Sequence, residues 1–416
     1  MHVAFVLPRS FPYRGGYENS LFALARYLVA HGHRATVFTT VADDLESFWL
    51  PGFKTFPQGL VRVDGVVVRR FPIDYNQLRR RATRLLGLAP YWRWKAQYWR
   101  PSFRVPGLAE ALREVDADLF HIGPLPYNSV MYAGLHAGEQ RNLPVVATPC
   151  SHLGEPGSDE VVQHYLQAHQ VAMLQRCRKV FCMTRTERDR LQSLGIDSAK
   201  LAITPFGIDL RSSVGGNPNL LRQRYNVDGP VVLHLGMKAF DKGSQTLVEA
   251  MKLAWARGSD AWLVMAGPSL STFDDFIATA GKNCPRLLNL PPFGEAEKRD
   301  LLASATIVAQ PSRVESLGLV LIEAWANQKP VIAADIAVSR ELIASCGGGV
   351  TVPFGCAEEL ADAVVKLLND PESRQRMAAG GYAKSAAYAG DTAWRRIADE
   401  FERIVLQPGN STQPSR

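Results

Sequence analysis

No C-x-x-C pair occurs among the six cysteines (Cys150, Cys177, Cys182, Cys284, Cys346 and Cys356), which excludes the zinc and dithiol sites built on that spacing. Scattered free thiols belong to a reducing compartment and predict a cytoplasmic protein. No run reaches the roughly 18 apolar residues of a membrane span. The apolar start, Met1 to Leu7, has neither the basic flank nor the cleavage site of a signal peptide. Repeats of 20 to 50 residues are also missing, which excludes a solenoid. Acidic residues are outnumbered most in one basic stretch. Residues 69 to 104 hold ten Lys or Arg and a single acid, Asp74, a local net of +9 in a chain of +7. The remainder sums to −2, so the charge forms one patch with a specific task; nucleic acid is not an expected partner.

What is present is the composition of a globular enzyme, 46% apolar and 21% charged, at a length of 416 residues that suits two domains. Short β-branched runs alternate with amphipathic stretches, the pattern of parallel α/β architecture. The first half predicts strands over Val3–Leu7, Ala35–Thr39, Val66–Phe71, Leu119–Ile122, Val145–Thr148 and Val180–Met183. Helices are predicted over Glu18–Ala30 and Asp159–Gln175. Pro205 to Pro230, rich in Gly, Pro, Asn and Ser, reads as the linker. The alternation then resumes over Val231–Leu235, Trp262–Ala266, Leu287–Leu290, Thr306–Ala309, Val331–Ala334 and Val350–Val352. The expectation is a first domain over 1–208, with a basic aromatic insertion at about 74–104, and a second over 209–405. The last helix of the second packs back on the first, and 406–416 is a disordered tail. Two Rossmann-like, doubly wound domains would bind ligand in the cleft between their strand ends.

The richest segment runs from Gln310 to Ala324. It follows a predicted strand, contains Pro311-Ser312, Glu315 and Gly318, and enters an apolar helix carrying Glu323. Free amides around Ser316, Leu317, Gly318 and Leu319 would attract phosphate, because a helix N-terminus carries positive potential. Residues eight apart differ by about 80° around a helix, so Glu315 and Glu323 do not share a face. Glu315 belongs to the turn and Glu323 to the helix, reaching different ends of one ligand.

This stretch resembles the E-x7-E signature of retaining GT-B glycosyltransferases, especially family 4, and Lys329-Pro330-Val331-Ile332-Ala333 resembles the strand that follows it there. The resemblance implies a GT-B fold and a nucleoside diphosphate sugar donor, with Glu315 at the sugar and Glu323 at the ribose. It also implies a hydroxyl acceptor, retention of anomeric configuration, and neither cofactor nor metal. Gly236-Met237-Lys238-Ala239-Phe240-Asp241-Lys242-Gly243 is similar to the family's G-R-x(4)-K-G diphosphate loop. Lys242 and Gly243 match, Met237 replaces the Arg, and Lys238 is the candidate substitute, although an ammonium lacks the guanidinium fork. The order of that loop is wrong for a P-loop, and no G-x-G-x-x-G follows the first strand. Arg14-Gly15-Gly16-Tyr17-Glu18 resembles the family's glycine loop, where the Gly16 amide would meet donor phosphate.

Pro149-Cys150-Ser151-His152 resembles the His-bearing loop near the donor sugar, with Cys150 at a first His position and His152 at a second. Pro205-Phe206-Gly207-Ile208-Asp209 is similar to a junction P-N-G-x-D loop of structural role. Asp116-Ala117-Asp118 has the form of a metal-binding D-x-D, but it precedes a strand and lies at the wrong edge for a ligand. Catalytic roles therefore fall to Glu315, His152 and Lys242. Between Arg79 and Arg104, cations alternate with Tyr91, Trp92, Trp94, Tyr98 and Trp99, a composition suited to an anionic membrane surface or a lipid-linked acceptor; stacking on single-stranded nucleic acid, or a solvated insertion whose aromatics pack on the domain, is the alternative. Synthesis of a glycan, glycolipid or cell-surface polysaccharide is the expected setting. A nucleotide-sugar epimerase or phosphorylase of the same fold, or a non-catalytic sugar-binding protein, is the alternative.

Overall fold

The structure, a computed structural model, describes residues 1–13, 15–48, 51–75, 103–154, 164–282 and 284–407. Arg14, most of the basic aromatic segment, the first residues of the expected Asp159–Gln175 helix and the tail from 408 lie outside the described residues.

Two sheets organise the chain. The first contains β1 (His2–Val6), β2 (Arg34–Thr40), β3 (Gly59–Val63), β4 (Val66–Phe71), β5 (Leu119–Ile122), β6 (Val145–Ala147), β7 (Lys179–Cys182) and β8 (Leu201–Ile203), in the order β3-β4-β2-β1-β5-β6-β7-β8. The second contains β9 (Val231–Leu235), β10 (Trp262–Ala266), β11 (Leu287–Leu290), β12 (Ile307–Gln310), β13 (Val331–Ala334) and β14 (Gly349–Val352), in the order β11-β10-β9-β12-β13-β14. All pairings are parallel except β3 with β4. Every residue of β1, β9, β12 and β13 is buried, as expected of strands covered on both faces by helices, and their largely apolar sequences follow from that.

Six helices position the site: α1 (Gly16–Ala30), α2 (Arg185–Ser193), α3 (Ser244–Ala256), α4 (Leu319–Ala326), α5 (Ala337–Ala344) and α6 (Gly390–Leu406). The chain leaves the first sheet after Ile203, builds the second, and returns through a bridge between Ile208 and Ala389. Helix α6 then covers the first sheet. Its Phe401 packs on Phe181 and His121, and Glu400 and Glu402 pair with Lys179 and His33.

Two strands differ from the sequence reading, which omitted β3 and β8. β3 is a half-exposed edge strand, so it lacks an apolar run; Leu60 on it is 57% exposed. The available signal was Asp64-Gly65, both at positive φ, the pair favoured in a two-residue hairpin. The helix expected over Asp159–Gln175 begins among the described residues only at Ala168, where Gln167 and Gln170 close a capping box. Asp116 and Asp118 lie at the amino edge as expected: Asp118 accepts from the His2 amide at 2.6 Å, and Asp116 pairs with Arg34 at 2.8 Å.

Candidate active site

The carboxyl ends of β6, β9 and β12 meet the start of α1 around a cavity of about 260 Å³ between the two sheets. Gly16, His152, Lys242, Glu315, Ser316, Leu317, Gly318 and Leu319 all line it, as do Cys150 and Met237. Residues separated by 300 positions in sequence thus share one wall.

Two glycines make this convergence possible. Gly243 has φ +68°, and a Cβ there would sit 2.2 Å from the Pro311 carbonyl oxygen. Only glycine permits that approach. It brings Lys242 against the turn after β12, where the ammonium reaches Glu315 Oε1 at 2.8 Å. The same two segments are tied by Arg313, whose amide donates to the Asp241 carbonyl and whose guanidinium pairs with the Asp241 carboxylate. At Gly16 a Cβ would lie 2.8 Å from Leu319 Cδ1, so the first residues of α1 and α4 face each other. Two helix N-termini therefore direct orphan amides and positive potential into one cavity. Gly318, at φ +77°, caps α4, so the helix starts at Leu319. The orphan amides begin at Leu319, whereas Ser316 and Leu317 belong to the turn.

From the first sheet, the loop after β6 pairs with this turn. Leu153 and Glu315 exchange backbone hydrogen bonds at 3.2 and 3.4 Å, and Cys150 Sγ donates to Ser316 Oγ at 3.1 Å. His152 Nδ1 lies 3.2 Å from the Tyr165 hydroxyl. Burial first, and then Lys242, lowers its pKa to about 4, so at neutral pH it is an uncharged imidazole that acts through hydrogen bonds. Burial alone would raise the pKa of Glu315, yet Lys242 and His152 lower it overall, which keeps it a carboxylate. Burial pushes the Cys150 thiol well above its ordinary range, so it is no nucleophile.

Two sequence expectations meet a different geometry. Lys238 does not line the cavity. It is 3% exposed, its ammonium donates to Asn289 Oδ1 at 2.7 Å and the Leu290 carbonyl at 2.8 Å, and its charge is spent inside the second sheet. It therefore cannot replace the guanidinium missing at Met237. Glu323 does not line the cavity either; its carboxylate is held by Lys298 at 2.9 Å and faces Ser213 Oγ at 3.3 Å. Sequence reading also passed over wall residues. Tyr17 lines the cavity and donates to the Thr148 carbonyl, while Phe206, assigned a purely structural role, meets Tyr17 edge-on at 5.3 Å and is itself on the wall. Ser339 reaches the wall from α5, and no local motif marks it.

Residues 221–384 match the family model of glycosyl transferases group 1, and residues 14–212 match that of glycosyltransferase family 4. The chain is a glycosyltransferase, its two halves matching these two families. This glycosyltransferase is 26% identical over 408 residues to a phosphatidyl-myo-inositol mannosyltransferase of Mycolicibacterium smegmatis, covering 97% of this chain and 93% of that one. It is 33% identical over 190 residues to an alpha-D-kanosaminyltransferase of Streptomyces kanamyceticus, where the match covers 45% of this chain and about half, 49%, of the relative. Its fold is GT-B: the crystal structure of Anabaena HepE in complex with UDP and glucose superposes with a TM-score of 0.72 at 20% identity, over 97% of this chain and 100% of that one. No helix among the described residues is long and apolar enough to cross a membrane.

Proposed function

We propose that this glycosyltransferase moves a sugar from a nucleoside diphosphate sugar to a hydroxyl acceptor with retention of configuration. The observation that carries the proposal is the cavity in which Lys242, Glu315 and His152 meet the N-termini of α1 and α4. Among the described residues its charged lining is balanced, Lys242 against Glu315, with His152 neutral. A diphosphate would therefore draw Lys242 from Glu315 and rely on the amides near Gly16, Leu319 and Val320. As the bond to the anomeric carbon breaks, charge gathers on the departing phosphate, where these donors are already oriented; that is electrostatic preorganisation. Glu315 and His152 would then hold the hydroxyls of the sugar, and Glu323 those of the ribose once Lys298 shares it. No metal or cofactor enters this scheme.

The acceptor in this proposal is lipid-linked, with the Arg79–Arg104 segment against an anionic surface at the cytoplasmic face and the product a glycolipid or cell-surface glycan. Support comes from the basic aromatic composition of that segment and from the relative named for phosphatidyl-myo-inositol. The test is incubation with UDP-, GDP- and ADP-sugars, with and without phosphatidylinositol vesicles. Acceptor-dependent release of nucleoside diphosphate, with an α-linked product from an α-linked donor by NMR, is expected. An inverted product refutes retention, and acceptor-independent isomerisation of the donor favours an epimerase.

A further inference from the structure

The second sheet's helix α5 reaches across to the first through one side chain. Glu341 Oε1 accepts from the Arg185 amide at 2.9 Å, and its Oε2 accepts from the Thr186 amide at 2.8 Å and the Thr186 hydroxyl at 2.7 Å. Those amides open helix α2, where backbone donors lack intrahelical partners and the dipole favours an anion. The carboxylate thus satisfies three donors of the opposite half at once. When the halves separate, water can hydrate both sides of this contact, so it is strong enough to bias closure and weak enough to release.

Behind the same turn of α2 lies a second carboxylate. Glu187, fully buried, accepts from the Ser151 amide at 2.7 Å through Oε1 and from the Met183 amide at 2.7 Å through Oε2. Ser151 precedes His152, so Glu187 fastens the His152 loop to α2. On the other side, Glu341 is two residues beyond Ser339, a cavity residue on α5. A continuous chain of contacts therefore runs from the cavity wall of one half, through Glu341, α2 and Glu187, to the His152 loop of the other.

We propose that Glu341 is a positioning residue, an interdomain latch that docks on α2 and, through Glu187, holds His152 in place opposite Glu315. The proposal rests on the transferase reading of the cavity for its kinetic consequence, but not for its conformational one. Because Glu341 touches neither the cavity nor Lys242, its loss leaves the donor-binding half intact.

The experiment compares the full chain with Glu341→Ala, Glu341→Gln and, from the opposite half, Thr186→Val. Small-angle scattering in the absence of ligand reads the separation of the halves, and transfer kinetics read positioning. Glu341→Ala is expected to enlarge the radius of gyration and lower kcat about tenfold, the loss of one charged hydrogen-bonded partner, with the affinity for UDP unchanged. Glu341→Gln, which keeps an acceptor oxygen without the charge, and Thr186→Val, which removes one donor of three, shift both readouts in the same direction by less. Unchanged scattering for Glu341→Ala overturns the latch, and so does an expanded particle with undiminished kcat. If Glu341→Ala fails to fold by its melting curve, Thr186→Val decides on the same two readouts. If no donor sugar is turned over by the wild-type chain, the transferase reading fails by itself and scattering still decides the latch.

Discussion

Removing Lys242 and Glu315 separately is expected to move nucleoside diphosphate binding in opposite directions. The ammonium lies 2.8 Å from Glu315 Oε1, and the side chains are 24% and 20% exposed. At an effective dielectric constant of about 20, the gross attraction is roughly 6 kcal/mol. Desolvation offsets most of it: breaking a buried pair costs about 3 to 5 kcal/mol and an exposed pair about 0 to 1, so a mostly buried pair falls near 2 kcal/mol. Lys242→Met then destabilises the second sheet's half by about 2 kcal/mol, roughly 4 to 8 °C in Tm for a unit of that size. The double variant with Glu315→Gln recovers part of the loss, with a coupling energy of about 1 to 2 kcal/mol. For UDP measured by calorimetry, Lys242→Met weakens binding about tenfold, a charged hydrogen bond forgone. Glu315→Gln strengthens it, because Lys242 no longer has a competing partner, while turnover falls. Weaker UDP binding in Glu315→Gln, or a coupling below about 0.5 kcal/mol, refutes the idea that the pair is an exchangeable clamp.

Other expectations follow from single contacts. Met237→Arg adds a guanidinium to a cavity wall of balanced charge and should tighten UDP binding about tenfold; no gain in calorimetry means the position does not face the phosphates. Glu323→Ala should weaken nucleotide binding about tenfold, more than Lys298→Met does, and equal effects would make Glu323 merely the partner of Lys298. Gly243→Val forces a side chain into the Pro311 carbonyl at positive φ, and should cost about 1 to 3 kcal/mol or more in a melt and displace Lys242; a neutral result contradicts the close approach. Acidification should destabilise the protein. Burial lowers His152 and His234 to about 4 and His121 to about 3, so below pH 6.5 the unfolded chain takes up protons that the folded chain refuses. Glu187, raised to about 7 by burial, acts in the opposite sense between pH 7 and 4.5, since there the folded state holds the extra proton. Three groups against one leave about two protons, on the order of 2 to 3 kcal/mol per pH unit near pH 5.5. A Tm at pH 5.0 equal to or above that at pH 7.5 would show the histidines to be hydrated.

Much of this protein is readable from local chemistry. Strands buried on both faces are nearly continuous apolar runs, which is why Val231–Leu235, broken only by His234, and Val331–Ala334 stand out unaided. Gly318 ahead of an apolar helix, with Glu315 in the turn before it, marks a candidate ligand site because the glycine and the dipole act over a few residues, and both residues line the cavity. Lys242 and Gly16 are singled out by the family resemblance instead, and both line the cavity. The direction in which a side chain points is not local. Lys238 and Lys242 share one loop, yet one ammonium turns to Asn289 and Leu290 and the other to Glu315, a choice made by β11 and by the turn after β12. The pairing of Glu323 with Lys298 depends on how two helices pack. The contact of Glu341 with Thr186 joins residues 155 positions apart and belonging to different sheets. Residue types and spacing determine which backbone elements and which kinds of chemistry the chain carries. Only the packing of the two sheets decides which charges remain available to a donor, because each ammonium and carboxylate takes the partner that burial brings within hydrogen-bonding distance.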